Sequence, residues 1–116
     1  MKRIVLCILM LAAIAGCASD PAPNEQLRIT EQAVTQARSA GASEQTAELG
    51  QAEQKLANAI AAMKDQNYRM ARLQAEQAEL DARLAEARVL NEKSRLEVAE
   101  FNRRLARLRE QLGAVQ

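Results

Sequence analysis

Residues 68–112 read YRMARLQAEQAELDARLAEARVLNEKSRLEVAEFNRRLARLREQL, and this run of 45 residues without proline or glycine decides the fold. Alanine, leucine, glutamate, glutamine and arginine dominate it, and all of them are strong helix formers. At about 1.5 Å per residue, one helix of this length extends roughly 65–70 Å. The run therefore predicts a single long helix at the C-terminal end of the chain.

Large apolar residues recur along this helix with a seven-residue spacing, which is typical of a coiled coil. Position a of the heptad holds Met70, Gln77, Leu84, Asn91, Val98, Leu105 and Leu112, and position d holds Leu73, Leu80, Ala87, Ser94, Phe101 and Leu108. The polar layer at Asn91 and Ser94 has two interpretations. It is either the end of a packed bundle, which we prefer, or a layer that sets the register of an oligomer.

Two shorter helices are expected before the long one. Asn24 is a suitable N-cap and Gly41 a suitable residue to follow a helix end, which predicts a first helix over 24–40. Ser43 is the next N-cap candidate, and apolar residues at helical spacing follow it, which predicts a second helix over 44–64.

The polar run at residues 64–67, Lys-Asp-Gln-Asn, is the one turn candidate between the second and third helices. Asp and Asn bond locally to the backbone and cap helices. Against a turn, Leu49, Leu56 and Met63 keep the heptad phase of Met70, so a continuous helix over 44–112 stays open. The similar lengths of the three segments favour folding back, because neighbouring helices would then cover the apolar stripe up to about residue 90.

We therefore predict an all-α fold: an antiparallel helical hairpin or three-helix bundle with a long C-terminal coiled-coil-like helix, over residues 24–116. Acidic side chains of the third helix are expected to form i,i+4 pairs on a solvated face, Glu79 with Arg83 and Glu76 with Arg72.

The N-terminus is typical of a secreted lipoprotein. Lys2 and Arg3 precede a short apolar stretch that is too short to span a bilayer as a helix. The sequence ending in Cys17 resembles the bacterial lipobox, in which the cysteine carries the acyl chains and becomes the first mature residue. The alternative is plain secretion with cleavage after Ala15. We expect a signal peptide over 1–16 and a lipidated cysteine with a short tether over 17–23.

In enterobacterial lipoproteins an aspartate directly after the cysteine favours retention in the inner membrane. Here that residue is Ala18, which predicts a location on the periplasmic face of the outer membrane. Three acyl chains would hold the protein there almost permanently.

The composition excludes several chemistries. The chain has no histidine or tryptophan, one tyrosine and one phenylalanine. A His-based catalytic relay, a His-metal site and a stacking platform for single-stranded nucleic acid are therefore ruled out. We expect no enzyme activity, no cofactor, no small-molecule substrate and no nucleic-acid partner. The apolar fraction of 48% includes 24 alanines, so the core is expected to be thin.

Charge is uneven along the chain, and the end of the long helix is basic. Residues 24–87 hold 7 Lys/Arg and 10 Asp/Glu, a net −3, whereas residues 88–116 hold 7 and 4, a net +3. The cluster of Arg103, Arg104 and Arg107 either complements the helix dipole or contacts an acidic partner or an anionic cell-wall polymer, without covalent attachment.

The sequence also resembles a family of small helical lipoproteins of the Gram-negative envelope that is known only as a domain of unknown function. The resemblance covers about residues 24–90 and rests on Ala33-Val34, Ala37, Gly41-Ala42, Glu48-Leu49, Ala52, Leu56, Asn67-Tyr68, Ala71, Leu73, Ala78 and residues 81–87. The family usually has Gly-Asp-Tyr before its last helix, where this chain has Gln66-Asn67-Tyr68. The resemblance implies a helical hairpin or bundle on an outer-membrane lipoprotein, and it implies no activity.

The leading hypothesis is a non-catalytic lipoprotein whose residues 91–112 form a free helical arm. The stripe of Val98, Phe101, Leu105 and Leu108 on this arm then needs a partner, either another copy or an envelope protein. The alternative is a periplasmic helical chaperone or adaptor for envelope machinery.

Overall fold

The computed structural model describes residues 20–114, and Cys17 with the expected signal peptide lies outside them. Within this part the chain is entirely helical apart from short connections, as predicted. The three helices are α1 (Asn24–Ala40), α2 (Ala47–Lys64) and α3 (Tyr68–Gly113). Over residues 20–114 there is no helix long and apolar enough to cross a bilayer.

Contacts between the helices give their directions. Lys55 and Glu48 of α2 meet Asp81 and Arg88 of α3, so these two helices are antiparallel. Thr30 of α1 meets the Ala75 carbonyl of α3, and further along both helices Gln36 meets Glu86, so α1 runs parallel to α3. Both short helices pack on the first half of α3, and their contact with each other is smaller.

The first helix ends at Ala40 and Gly41 follows it, as the sequence predicts. Gly41 has φ 112°, in the left-handed region that a residue with a side chain rarely adopts. Its N–H donates to the Arg38 carbonyl, and the Ala42 N–H donates to the Ala37 carbonyl, which is a Schellman motif. The Lys93 ammonium of α3 donates to the Ala40 carbonyl and so places a cation at this helix end.

One predicted N-cap and one predicted helix start are corrected. The first helix begins at Asn24, as expected, but Pro23 and not Asn24 occupies its N-cap. The second helix begins at Ala47 and not at residue 44, because residues 43–46 form a turn in which the Thr46 N–H donates to the Ser43 carbonyl at 2.8 Å. Ser43 therefore caps this local turn, through the Gln45 N–H, and not the helix.

The polar run between α2 and α3 is a turn, which excludes the continuous helix. Gln66 takes the left-handed conformation with φ 58°, and the Asn67 N–H donates back to the Ala62 carbonyl at 2.9 Å. The Asn67 side chain then accepts from the Met70 N–H and caps α3. A second Schellman motif thus reverses the chain, with glutamine at the position that favours glycine.

The core consists almost entirely of alanine. Its members over the described part of the chain are Ala33, Val34, Ala37, Ala42, Leu49, Ala52, Ala59, Ala71, Ala75, Ala78, Ala82 and Ala85. Among residues 20–114, Thr30 is the largest side chain that is fully buried, and its hydroxyl lies 2.8 Å from the Gln26 carbonyl and 3.0 Å from the Ala75 carbonyl. Because alanine removes little apolar surface from water, this core stabilises the fold less than one of equal length built from leucine.

Polar side chains at the edges connect the helices. Gln26 donates to Glu79 at 2.7 Å, and ion pairs join Lys55 to Asp81 at 2.6 Å and Arg88 to Glu48 at 2.7 Å. The predicted pair of Glu79 and Arg83 is confirmed at 2.6 Å. The predicted pair of Arg72 and Glu76 is wrong, because Arg72 instead donates to the carbonyl of Pro21, which lies three residues before the first residue of α1.

Candidate interaction surface on the long helix

The inner face of α3 is a seam of small residues. Ala71, Ala75, Ala78, Ala82 and Ala85 are all fully buried. They alternate in steps of four and three residues, and the half-buried Val89 continues the series. Because a methyl group lets two helix backbones approach closely, this seam is where α1 and α2 dock.

The opposite face carries the large apolar residues of the heptad, and it is exposed. At about 100° per residue, Leu80 points about 200° away from Ala82 of the seam. Leu80 is 67% exposed and Phe101 61% exposed. We call this face the outer stripe, and its members are Met70, Leu73, Leu80, Leu84, Leu90, Val98, Phe101, Leu105, Leu108 and Leu112.

This exposure corrects one expectation. The three helices were expected to cover the stripe between residues 68 and 90, but Met70, Leu73, Leu80 and Leu84 all remain accessible. The reason is steric, since both short helices already lie on the alanine side of α3. The outer stripe therefore runs from the bundle into the rest of the helix, with the polar residues Asn91 and Ser94 between its two halves.

The C-terminal half of α3 extends beyond the bundle, as predicted for residues 91–112. Lys93 makes the last contact with α1, and nearly all residues after it are exposed. Of the four apolar residues predicted for an interaction, Val98, Phe101 and Leu108 are more than half exposed, and Leu105 is half-buried. The structure thus brings all four onto one continuous face.

The basic cluster of the arm is organised around one carboxylate. Glu100 pairs with Arg104 at 2.9 Å, with Arg103 at 3.3 Å and with Arg107 at 3.6 Å. The hydrogen bond from Arg104 is the main cause that lowers the pKa of Glu100, and the charges of the three guanidiniums add to it. One carboxylate cannot balance three cations, so the cluster keeps a positive field.

Two residues of this surface were not predicted: Glu100 as the centre of the cluster, and Leu90 as part of the stripe. Glu100 precedes the three arginines by three, four and seven residues, a spacing that places all four on one helix face and could have revealed it. Residues 20–114 contain no group of carboxylate or thiol side chains that could hold a metal ion.

Comparisons with known proteins give the family. The profile described as Domain of unknown function (DUF4398) matches residues 25–101. A solved crystal structure is similar, that of a DUF4398 family protein (PA2901) from Pseudomonas aeruginosa PAO1. It is 53% identical, with a TM-score of 0.80, over 83% of this chain and 100% of that chain. No curated protein matches. The chain therefore belongs to the DUF4398 family, in agreement with the resemblance seen in its sequence.

Proposed function

We propose that this chain is a non-catalytic lipoprotein, anchored through Cys17 on the periplasmic face of the outer membrane, which offers the outer stripe of α3 to a protein partner in the envelope. The observation that carries the proposal is the exposure of large apolar residues opposite the alanine seam. Monomeric proteins rarely leave a contiguous apolar patch of more than a few hundred Å² in water, and larger patches mark interaction sites.

The charges of the arm support a protein partner. Arg104 of this cluster points about 60° from Phe101 around the helix and so lies beside the stripe, whereas Arg103 points about 160° away from Phe101. Aromatic and arginine side chains are enriched where interfaces gain most of their binding energy. Partners with an apolar face and an acidic rim fit this end of the helix.

The anchor is tested by two cysteine variants of the full chain. We expect Cys17→Ser to lose acyl labelling and to move from the membrane fraction to the soluble fraction. Cys7→Ser, which changes a residue of the expected signal peptide, is the matched control. It should keep both the acyl labelling and the location in the membrane fraction. If Cys17→Ser remains in the membrane fraction, the lipoprotein proposal is wrong.

The interaction surface is tested by charge substitution on two faces of the arm. Phe101→Asp places a carboxylate on the outer stripe and should abolish association, measured as photo-cross-linking from position 98 in cells. Ala99→Asp is the control, because Ala99 is also exposed but points about 160° away from the stripe at the level of Phe101. Equal cross-linking in both variants would contradict the proposal.

The alternative function is a periplasmic chaperone or adaptor. An exposed apolar stripe between charged flanks would also bind unfolded chains. Binding of many unfolded outer-membrane proteins without sequence preference, competing with the Phe101-dependent partner, would favour that alternative. Cross-linking to one discrete partner favours the scaffold function.

A further inference from the structure

We propose that the outer stripe is the interface of an antiparallel dimer of this chain. The inference rests on the proposed function, because it names the partner of the same surface: a second copy. Three observations carry it, which are the size of the stripe, the charges beside it and the free space in front of it.

The stripe has the size that a stable dimer needs. It spans residues 70–112, which at about 1.5 Å per residue is roughly 65 Å of helix, and a contact about 10 Å wide covers roughly 650 Å² on each copy. A standard specific interface buries about 800 Å² per partner. The whole stripe, and not the arm alone, is therefore required.

A parallel dimer is disfavoured by the residues at the edges of the stripe. In a parallel coiled coil in register, each g position faces the e position five residues later on the other helix. This arrangement places Glu76 beside Asp81, Arg83 beside Arg88, and Arg104 beside Arg109. All three pairs carry like charges and each occurs twice, so the two copies repel each other.

An antiparallel dimer with its twofold axis at residue 89 replaces these like-charged neighbours by oppositely charged ones. Glu76 then lies beside Arg104 of the second copy, and Arg83 beside Glu97 of the second copy, each twice by symmetry. At the axis Leu90 meets Leu90. The one like-charged pair at the edges is Arg88 with itself, compared with three like-charged pairs, each occurring twice, in the parallel dimer.

The apolar layers agree with this register. Position a of one copy faces position d of the other, so Leu73 lies against Leu105, Leu80 against Val98, and Met70 against Leu108. Polar Asn91 and Ser94 fall in the middle, opposite Ala87 and Leu84. Moving the register by one heptad places either Arg83 beside Arg104 or Glu76 beside Glu97, so the charges select one arrangement.

The bundle leaves room for the second copy. Both α1 and α2 lie on the alanine seam, behind α3 as seen from the outer stripe. The arm of each copy therefore passes in front of the other copy's bundle without meeting a short helix. The acidic half of each chain, net −3 over residues 24–87, faces the basic half of the other.

The test uses single cysteines added to the full chain in cells, with a short thiol cross-linker. We expect Leu90→Cys to form a cross-linked dimer well above the background set by the unaltered chain, to which no cysteine has been added. Glu76→Cys alone should stay at that background, because two copies of position 76 are about 39 Å apart in this dimer. Differently tagged chains carrying Glu76→Cys and Arg104→Cys should cross-link to each other.

The control is Ser39→Cys, an exposed position on α1 that should give background only. Efficient cross-linking of Glu76→Cys to itself would overturn the antiparallel arrangement. Absence of a Leu90→Cys dimer would overturn the dimer altogether. If position 98 still captures a different protein in that case, the proposed function survives and only the second copy is excluded as its partner.

Discussion

Gln66 holds the turn on which the three-helix fold depends, in a conformation that suits glycine better. Its φ of 58° lies in the left-handed region. This conformation costs a residue with a Cβ about 1–2 kcal/mol. Glycine avoids that cost, although it loses about 0.5–1 kcal/mol more than alanine in conformational entropy on folding.

We therefore expect Gln66→Gly to raise the free energy of unfolding by about 0.5–1 kcal/mol, measured by denaturant titration. Gln66→Ala is the matched control, because it removes the same side chain but keeps the Cβ, and it should not stabilise. A Gln66→Gly variant that is less stable than the unaltered chain would show that the glutamine side chain itself holds the turn.

Glu79 is a second residue whose environment has a measurable consequence. The hydrogen bond from Gln26 of α1 is the main cause that lowers the pKa of Glu79, Arg83 adds to it, and burial opposes both. Since the carboxylate takes up its proton at lower pH when folded than when unfolded, its contribution is complete above the ordinary carboxyl pKa near 4.5. That contribution is lost as the pH falls through the lowered value.

Glu79→Gln should therefore lose less stability than the unaltered chain when the pH is lowered from 6 to 3, as followed by thermal unfolding. Gln26→Ala, which removes the hydrogen-bond donor and keeps the carboxylate, should flatten the same pH dependence in part. An unchanged pH dependence in both variants would contradict the role assigned to this contact.

At the scale of the helix, one face of α3 packs against the short helices and the opposite face is exposed to solvent. Ala82 is fully buried against the short helices, whereas Ala87, five residues later, is exposed. The same substitution at the two positions should thus have different effects. Ala82→Leu forces the helices apart and should cost about 1–3 kcal/mol of stability, whereas Ala87→Leu should change it by less than about 0.5 kcal/mol. Equal losses in chemical denaturation would argue against the alanine seam.

The helices and turns follow from local chemistry, which is why sequence predicts them. The stretch from Asn24 to Ala40 lies between a proline and a glycine, and the polar run at 64–67 supplies the cap of α3 through Asn67. Even there, the second helix starts three residues later than expected. The Ser43 N–H donates to the Thr46 hydroxyl and the Thr46 N–H donates to the Ser43 carbonyl, so these residues form a turn before the helix.

The inner face of α3 could not be predicted by ranking hydrophobicity. Two sets of residues follow coiled-coil spacing: the leucines Leu73, Leu80 and Leu84, and the alanines Ala71, Ala78 and Ala85. The leucines would bury more apolar area, because their side chains are larger. What decides is the distance between the helix axes. Two short helices that contribute mostly alanine themselves can only pack closely, and close packing selects the alanines of α3.

At the scale of the whole molecule, the chain is elongated, and its small and its large apolar side chains lie in different places. The bundle is closed by small side chains, and the large ones remain along the outside of a helix about 69 Å long. A core this thin leaves a small margin of stability for a chain of this size. The proposed association through the outer stripe would add stability to the long helix, which beyond Lys93 has no other helix to pack against in the described part of the chain.

The central claim is that α3 turns its alanines inward and its large apolar residues outward, and the unfolding free energy of two aspartate variants tests it most directly. At a concentration low enough to keep the chain monomeric, Leu80→Asp should stay within about 0.5 kcal/mol of the unaltered chain, as a surface substitution does. Ala82→Asp buries an unpaired charge and should abolish folding. A Leu80→Asp chain that loses several kcal/mol while Ala82→Asp folds normally would contradict the account.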